Sequence, residues 1–328
     1  MSNAFRWCFI GTGTLANTVA KAITASGRHE IVSVFTRRIE KAREFTAKFG
    51  GAPYDNAEAA ITDPNVDAVY VVTPHNSHYQ YVKQALMLGK PVLCEKAFTV
   101  DAKQTRELID LAREKKIYVA EAMWTWFGPV AQQVKRWVDD GEYGEIQRIV
   151  ANYHMNSKNY APRVADPNMA GGALLDIGVY PITYLYRLFG RPVSVKCTGV
   201  LSGGVDMKED VALTFKNGNT FVASASIDDY KGLERFAIIG DRAKTSMWFF
   251  HMAKKARLAR RHGRSETFRG DGGYLNEFDR VGGEIREGLT ESKLVPLECT
   301  LDVMEIMDEC RRQMGLVYPF EKGESDNV

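Results

Sequence analysis

At 328 residues, with 45% hydrophobic and 26% charged, the chain has the make-up of a soluble globular protein of about two domains. A core of that size needs no disulfide framework or structural metal to hold it together. The 43 basic and 41 acidic residues leave a net charge of +2, which excludes bulk electrostatic capture of nucleic acid or of a membrane.

Phe5 to Ile10 is an apolar run of strand length, followed at once by Gly11-Thr12-Gly13-Thr14-Leu15-Ala16. Leu15, Val19, Ala22 and Ile23 then recur at helical spacing. Ile31 to Phe35 reads as a strand, Glu40 to Phe49 as a helix, Ala52 to Tyr54 as a short strand and Val66 to Val72 as a buried parallel strand. His78 to Leu88 is helical, Pro91 to Cys94 a strand, Asp101 to Lys115 a helix and Ile117 to Ala120 a sixth strand. This alternation predicts a doubly wound parallel α/β sheet over residues 1–122. After it the pattern changes. Val130 to Asp139 and Leu174 to Phe189 read as helices, Ile146 to Met155 as a strand, and Val193 to Phe250 is mainly of period two. Lys216-Asn217-Gly218-Asn219 predicts a hairpin turn, since Asn-Gly accepts positive φ. Helices near Leu275 to Glu287 and Leu301 to Met314 close the chain. Residues 123–328 are thus expected to form an α+β domain with an open, mainly antiparallel sheet.

The run Gly11-x-Gly13-x-x-Ala16 follows a strand and opens a helix, the setting of a dinucleotide fingerprint. Gly11 permits the tight turn, Gly13 lets a pyrophosphate approach the backbone, and Ala16 keeps helix and sheet close. Thr12, Leu15 and the helix N-terminus complete the phosphate site. The end of the second strand carries Thr36-Arg37-Arg38 and no carboxylate. Arginine presents a planar fork of donors to phosphate, so NADP is expected over NAD, though NAD is possible. The alternative places both arginines on a solvated loop.

Cys94-Glu95-Lys96-Ala97-Phe98 ends the fifth strand, on the edge where open parallel sheets bind ligands. Within Gly171-Gly172-Ala173-Leu174-Leu175-Asp176-Ile177-Gly178-Val179-Tyr180-Pro181, a helix would put Asp176 and Tyr180 on one face. A phenol ordinarily titrates near pH 10 and is a poor base, and a neighbouring ammonium would correct that. Lys96 supplies the charge only if the two halves face each other; otherwise Tyr180 is structural and Lys96 a surface residue.

Together with Val72-Thr73-Pro74-His75-Asn76-Ser77-His78, these stretches stand in order between about Trp7 and about Met314. In them the chain resembles the glucose–fructose oxidoreductase and inositol dehydrogenase family. Tyr180, Glu121-Ala122-Met123-Trp124-Thr125 and the two arginines are most similar to its branch of dimeric dihydrodiol dehydrogenases and NADP-dependent xylose dehydrogenases. The resemblance implies hydride transfer between the nicotinamide and a sugar, polyol or cyclic diol. It makes Tyr180 the general acid/base. Lys96 would hold the substrate oxygen and nicotinamide ribose and tune Tyr180, and Asp176 would orient the substrate or its catalytic partner. Thr73, Pro74, His78 and Glu95 would line the cofactor. A homodimer or higher homo-oligomer, paired through the open sheet face, is also implied.

Three departures stand out. Ala97 replaces a proline that is often cis in the family, which puts the local backbone in doubt. Trp126 stands where close relatives tend to have arginine. The basic stretch Lys254 to Arg264 reads as a solvated strand edge or loop, with no nucleic-acid motif beside it. Trp124, Trp126 and Phe127 form either a pocket wall or core, with Trp124 the better pocket candidate. Tyr153 and Phe278 are weaker pocket candidates, and core is favoured over pocket for both. Arg163, in the stretch 160–169, either contacts substrate or nicotinamide or is simply exposed. His75 and His78 are three apart, yet a helix start explains them better than a metal site.

Five cysteines without a Cys-x-x-Cys pair, no apolar run of about 18 residues and no signal-like start point to a reducing, cytoplasmic setting without a membrane. Two rival functions are an NAD-dependent glycosidase that works by transient oxidation and elimination, and a non-catalytic nucleotide-sensing regulator. The arginines argue against the first, and the joint presence of Lys96, Asp176 and Tyr180 against the second.

Overall fold

The computed structural model describes residues 4–156 and 162–321, so the start of the 160–169 stretch lies outside the described residues. The chain forms two units.

The first unit takes residues up to Thr99, Lys103–Phe127 and Gly273–Thr300. Its strands are β1 (Phe5–Ile10), β2 (His29–Phe35), β3 (Ala52–Tyr54), β4 (Ala68–Val71), β5 (Val92–Glu95) and β6 (Val119–Ala122). They form one sheet in the order β3-β2-β1-β4-β5-β6, every pair parallel. All four residues of β4 are buried, as a sheet covered on both faces requires. The intervening helices are α1 (Thr14–Thr24), α2 (Ile39–Phe49), α3 (Ala57–Ile61), α4 (His78–Met87) and α5 (Ala102–Lys115), with the short α6 (Trp124–Phe127) after β6. Helix α1 buries Ala16, Val19, Ala20 and Ile23, a single stripe of spacing three and four. The strand order reverses at β1, which opens a crevice at the carboxyl ends of β1 and β4.

No periodicity marks α3, a five-residue turn capped by Asn56, whose side chain accepts the Ala59 N–H. The change of pattern at residue 122 also predicts a single second half from there on. Instead the division falls after Phe127, and the helix Leu275–Arg286 returns to the first unit. Phe278 explains the return. Its ring is fully buried against Trp7 and Tyr70, at 4.8 and 5.0 Å between ring centres. Helical spacing marks such a segment as amphipathic without saying which sheet it covers.

The second unit comprises Val100–Ala102, Gly128–Gly272 and the residues from Leu301 on. Its strands are β7 (Ile146–Asn156), β8 (Ser194–Ser202), β9 (Val205–Thr214), β10 (Thr220–Ser226), β11 (Asp228–Gly240), β12 (Ala243–Trp248), β13 (Lys255–Arg260) and β14 (Glu266–Arg269). They lie in the order β14-β13-β12-β11-β7-β10-β9-β8, antiparallel except for β7 beside β10. Gly218 takes φ +84° in the expected hairpin. Helices α7 (Pro129–Asp139) and α8 (Val179–Phe189) belong to this unit. Tyr184 of α8 packs on Phe236 and Phe250, at 4.7 and 5.0 Å. Val164, Ala173, Ile177, Ala225 and Ile227 form a neighbouring buried cluster, with Tyr153 at its margin.

The expected continuous helix over residues 174–189 divides in two. Leu174–Gly178 is a π turn, with the Val179 N–H bonded back to Leu174 O, and the α-helix starts after it. Pro181 has no N–H to offer Ile177 O, so the tighter ladder cannot run unbroken through this point. The wider turn keeps Asp176 and Tyr180, four residues apart, nearly one turn from each other.

Candidate functional site

The crevice of the first unit begins at Gly11. Its φ is +112°, and a Cβ there would stand 2.7 Å from Val72 O, so only glycine fits where β1 and β4 end side by side. Gly13 precedes α1 without a side-chain cap, and a Cβ there would meet no atom within 4 Å. The first turn of α1 has no side-chain cap and no acidic residue, as an anion site at a helix start requires. Ala16 is fully buried against the sheet. Thr36 is half-buried at the end of β2, and Arg37 and Arg38 are exposed. The buried Thr73 Oγ1 at the end of β4 has no hydrogen-bond partner among the described residues. These features fit a dinucleotide: room at Gly13, a helix start without a side-chain cap and cationic side chains just after β2.

His78 joins two loops of this edge. Its Nε2 lies 2.8 Å from Thr73 O and its Nδ1 3.0 Å from Ala97 O. Both partners only accept, so both contacts are hydrogen bonds together only in the imidazolium form. Its ring nitrogens are thus committed to positioning backbone. The Lys96–Ala97 bond is cis.

Buried acids lie behind Lys96, which is itself half-buried. Tyr70 donates to Glu95 at 2.6 Å, and the Lys96 N–H donates to the other Glu95 oxygen at 3.3 Å. Burial, followed by the charge of Glu95, pushes the wholly buried Glu277 far above the usual carboxylate range. Glu121 accepts from the Phe98 N–H and from Thr300 Oγ1, and burial raises it to about 7. Because that value exceeds the unfolded one, its contribution favours the folded protein below about pH 4.5 and is lost as pH rises through about 7. Glu121→Gln, which mimics the protonated acid, is expected to stabilise the protein more at pH 8 than at pH 5, by roughly 3 kcal/mol at most. Equal melting shifts at the two pH values would contradict this.

In the second unit the rings of Tyr180, Tyr153 and His251 meet. Tyr180 lies 5.7 Å from Tyr153 and 5.4 Å from His251, and His251 stacks on Tyr153 at 5.0 Å. Tyr180 is 5% exposed. Asp176 is buried and accepts from Arg163 at 3.0 Å, a pairing that the sequence reading does not foresee for either residue.

A second acidic pair supports this segment. Asp206 accepts the Leu174 N–H at 2.6 Å, and Glu209 lies wholly buried beside it. Burial raises Asp206 to about 6 and, with the charge of Asp206, lifts Glu209 much further. Two glycines make room for them. A Cβ on Gly172, at φ +119°, would lie 2.0 Å from an Asp206 oxygen, and one on Gly178 would lie 2.6 Å from a Glu209 oxygen. This packing explains the glycines of the motif.

Of the expected pocket residues, Trp124 stacks on Tyr274 at 4.5 Å within the first unit, and Tyr153 adjoins Tyr180. Phe278 is corrected to core, because it has no exposed surface and its ring is held by Trp7 and Tyr70. The basic stretch contains β13, where Arg260 pairs with Glu142 and Glu266. Asp229, His154 and Ser224 form a chain of 3.0 and 2.9 Å contacts that looks like a hydrolase triad. Ser224 sits within β10 between two paired strands, so the ladder takes the backbone donors an oxyanion would need.

Residues 5–122 match the family described as oxidoreductase family, NAD-binding Rossmann fold, and residues 131–246 match the GFO/IDH/MocA C-terminal domain. The chain is 31% identical to D-xylose 1-dehydrogenase (NADP(+)) of Hypocrea jecorina, over 96% of this chain and 93% of that one. It is 30% identical to mouse (Mus musculus) trans-1,2-dihydrobenzene-1,2-diol dehydrogenase, over 97% and 99%. A crystal structure of KijD10, a 3-ketoreductase from Actinomadura kijaniata in complex with NADP and TDP-benzene, is similar with a TM-score of 0.86. It is 25% identical, over 95% of this chain and 98% of that one.

Proposed function

The chain belongs to the GFO/IDH/MocA oxidoreductase family, and on that premise we propose that it is an NADP-dependent dehydrogenase or reductase of a sugar, polyol or cyclic-diol hydroxyl or carbonyl. The observation that carries this reading is the open turn at Gly13 together with the exposed Arg37 and Arg38 after a strand end without a carboxylate. The turn would hold the pyrophosphate, and the arginines the 2′-phosphate that distinguishes NADP. Thr73, Pro74, His78, Glu95 and Lys96 would line the rest. The bound nicotinamide supplies the hydride acceptor or donor.

Tyr180 would take the hydroxyl proton of the substrate in oxidation and return it in reduction. Lys96 would bring the ammonium that makes a phenolate accessible, and hold the reacting oxygen. Asp176, fixed by Arg163, would orient the substrate. Trp124 and Tyr153 would offer flat apolar faces to a ring. The names of the relatives put D-xylose and trans-dihydrodiols first in a substrate panel. The reading extends to a homodimer through the second sheet and to a reducing, cytoplasmic setting for the five buried thiols.

The test incubates purified protein with NADP and NAD in parallel against aldoses, inositols and dihydrodiols, following nicotinamide absorbance. Net NADPH formation is expected with at least one class. Sugar release without net reduction would favour the glycosidase, and nucleotide binding without turnover the regulator.

A further inference from the structure

The ring cluster around Tyr180 contains a histidine that the proposed mechanism does not use. His251 lies in the turn Phe250–Met252, just after β12. Three hydrogen bonds fasten this turn to Glu234 of β11. The Phe249 N–H donates to Glu234 O at 3.2 Å, and the His251 N–H and Nδ1 approach the same Glu234 carboxylate oxygen at 3.0 and 2.6 Å. A fourth bond, from Tyr184 Oη to Phe250 O at 3.3 Å, fastens the turn to α8, which also carries Tyr180. Strand register completes the arrangement. Glu234 stands directly opposite Tyr153, so both side chains leave the sheet on the same face. The carboxylate is 5% exposed, the imidazole 15%.

A buried carboxylate on Nδ1 selects one tautomer. Nδ1 keeps its proton and donates it to Glu234, which leaves Nε2 as the nitrogen that gains and loses a proton. The groups in contact with this ring include Glu234 from β11, Tyr153 from β7 and Tyr180 from α8.

We infer that the Glu234–His251 dyad is a positioning and proton-exchange element for Tyr180. The inference rests on Tyr180 being the acid/base. In oxidation, the substrate C–H electron pair leaves as hydride to the nicotinamide while the O–H proton moves to the Tyr180 phenolate. The phenol must then lose that proton before the next turnover. His251 Nε2 accepts it, directly or through one water, and passes it to solvent, with Nδ1–H held by Glu234 throughout. Reduction runs the same transfers backwards. As imidazolium, His251 also favours the phenolate beside it.

The test compares His251→Phe, His251→Ala and Glu234→Gln with the parent enzyme. His251→Phe keeps an aromatic ring against Tyr153, and the expected result is a fall in kcat of about tenfold near neutral pH with little change in KM for NADP. The pH–rate profile should differ from that of the parent in both His251→Phe and Glu234→Gln. Added imidazole should restore part of the rate to His251→Ala. An unaltered profile, or a loss that imidazole does not mend, would overturn the inference. Nitrogen NMR of the ring provides a readout without turnover. It should show the proton of the neutral ring on Nδ1, with ring signals that change in both Glu234→Gln and Tyr180→Phe; ring signals indifferent to Tyr180 would also overturn it. Tyr180→Phe assayed alone separates the two levels, since full activity there removes the acid/base assignment whatever His251 does.

Discussion

Replacing Tyr180 by phenylalanine should lower kcat by about 10²- to 10⁴-fold, the usual worth of a positioned acid/base, while KM for NADP changes little. The substitution removes one oxygen and leaves the ring against Tyr153 and His251. The melting temperature should therefore stay near that of the parent, which separates a chemical defect from a folding one. Steady-state rates with the best substrate of the panel, set beside thermal unfolding, make the comparison. Full turnover by the variant would place the acid/base elsewhere.

The second large effect is expected at the ribose end. Alanine at both Arg37 and Arg38 should reduce kcat/KM for NADP by about 10²-fold or more, since each charge-assisted hydrogen bond to phosphate contributes roughly 1.5–3 kcal/mol. The value for NAD should hardly move, because NAD has no 2′-phosphate to lose. Both side chains are exposed in the protein, so their loss leaves no cavity. Parallel decline with both cofactors would show that the arginines support the loop rather than read the phosphate.

Much of the architecture was legible because local chemistry and tertiary placement agreed. The strand, glycine turn and helix from Phe5 to Thr24 needed only periodicity and the missing side chain at Gly13. The hairpin at Asn217-Gly218 needed only its turn. What escaped depended on contacts between distant residues. Phe278 carries the same apolar signal whether it lines a pocket or fills a core, and only the rings of Trp7 and Tyr70 decide. The Arg163–Asp176 pair spans an irregular stretch that no period describes. Glu234 did leave a trace, since an acid shares the inward parity of Phe236 and Ile238 in β11. His251, 17 residues further on, has no local mark that joins it to that acid.

The return of Gly273–Thr300 to the first unit bears on how the protein emerges from the ribosome. A nascent chain that has just released its sixth strand still lacks the aromatic plug provided by Phe278, and Trp7 and Tyr70 wait without their neighbour until nearly all of the second unit has been made. Synthesis order and assembly order therefore differ. A fragment cut after residue 122 should be protease-sensitive and bind a hydrophobic dye, and co-expression with a peptide spanning residues 273–300 should relieve both.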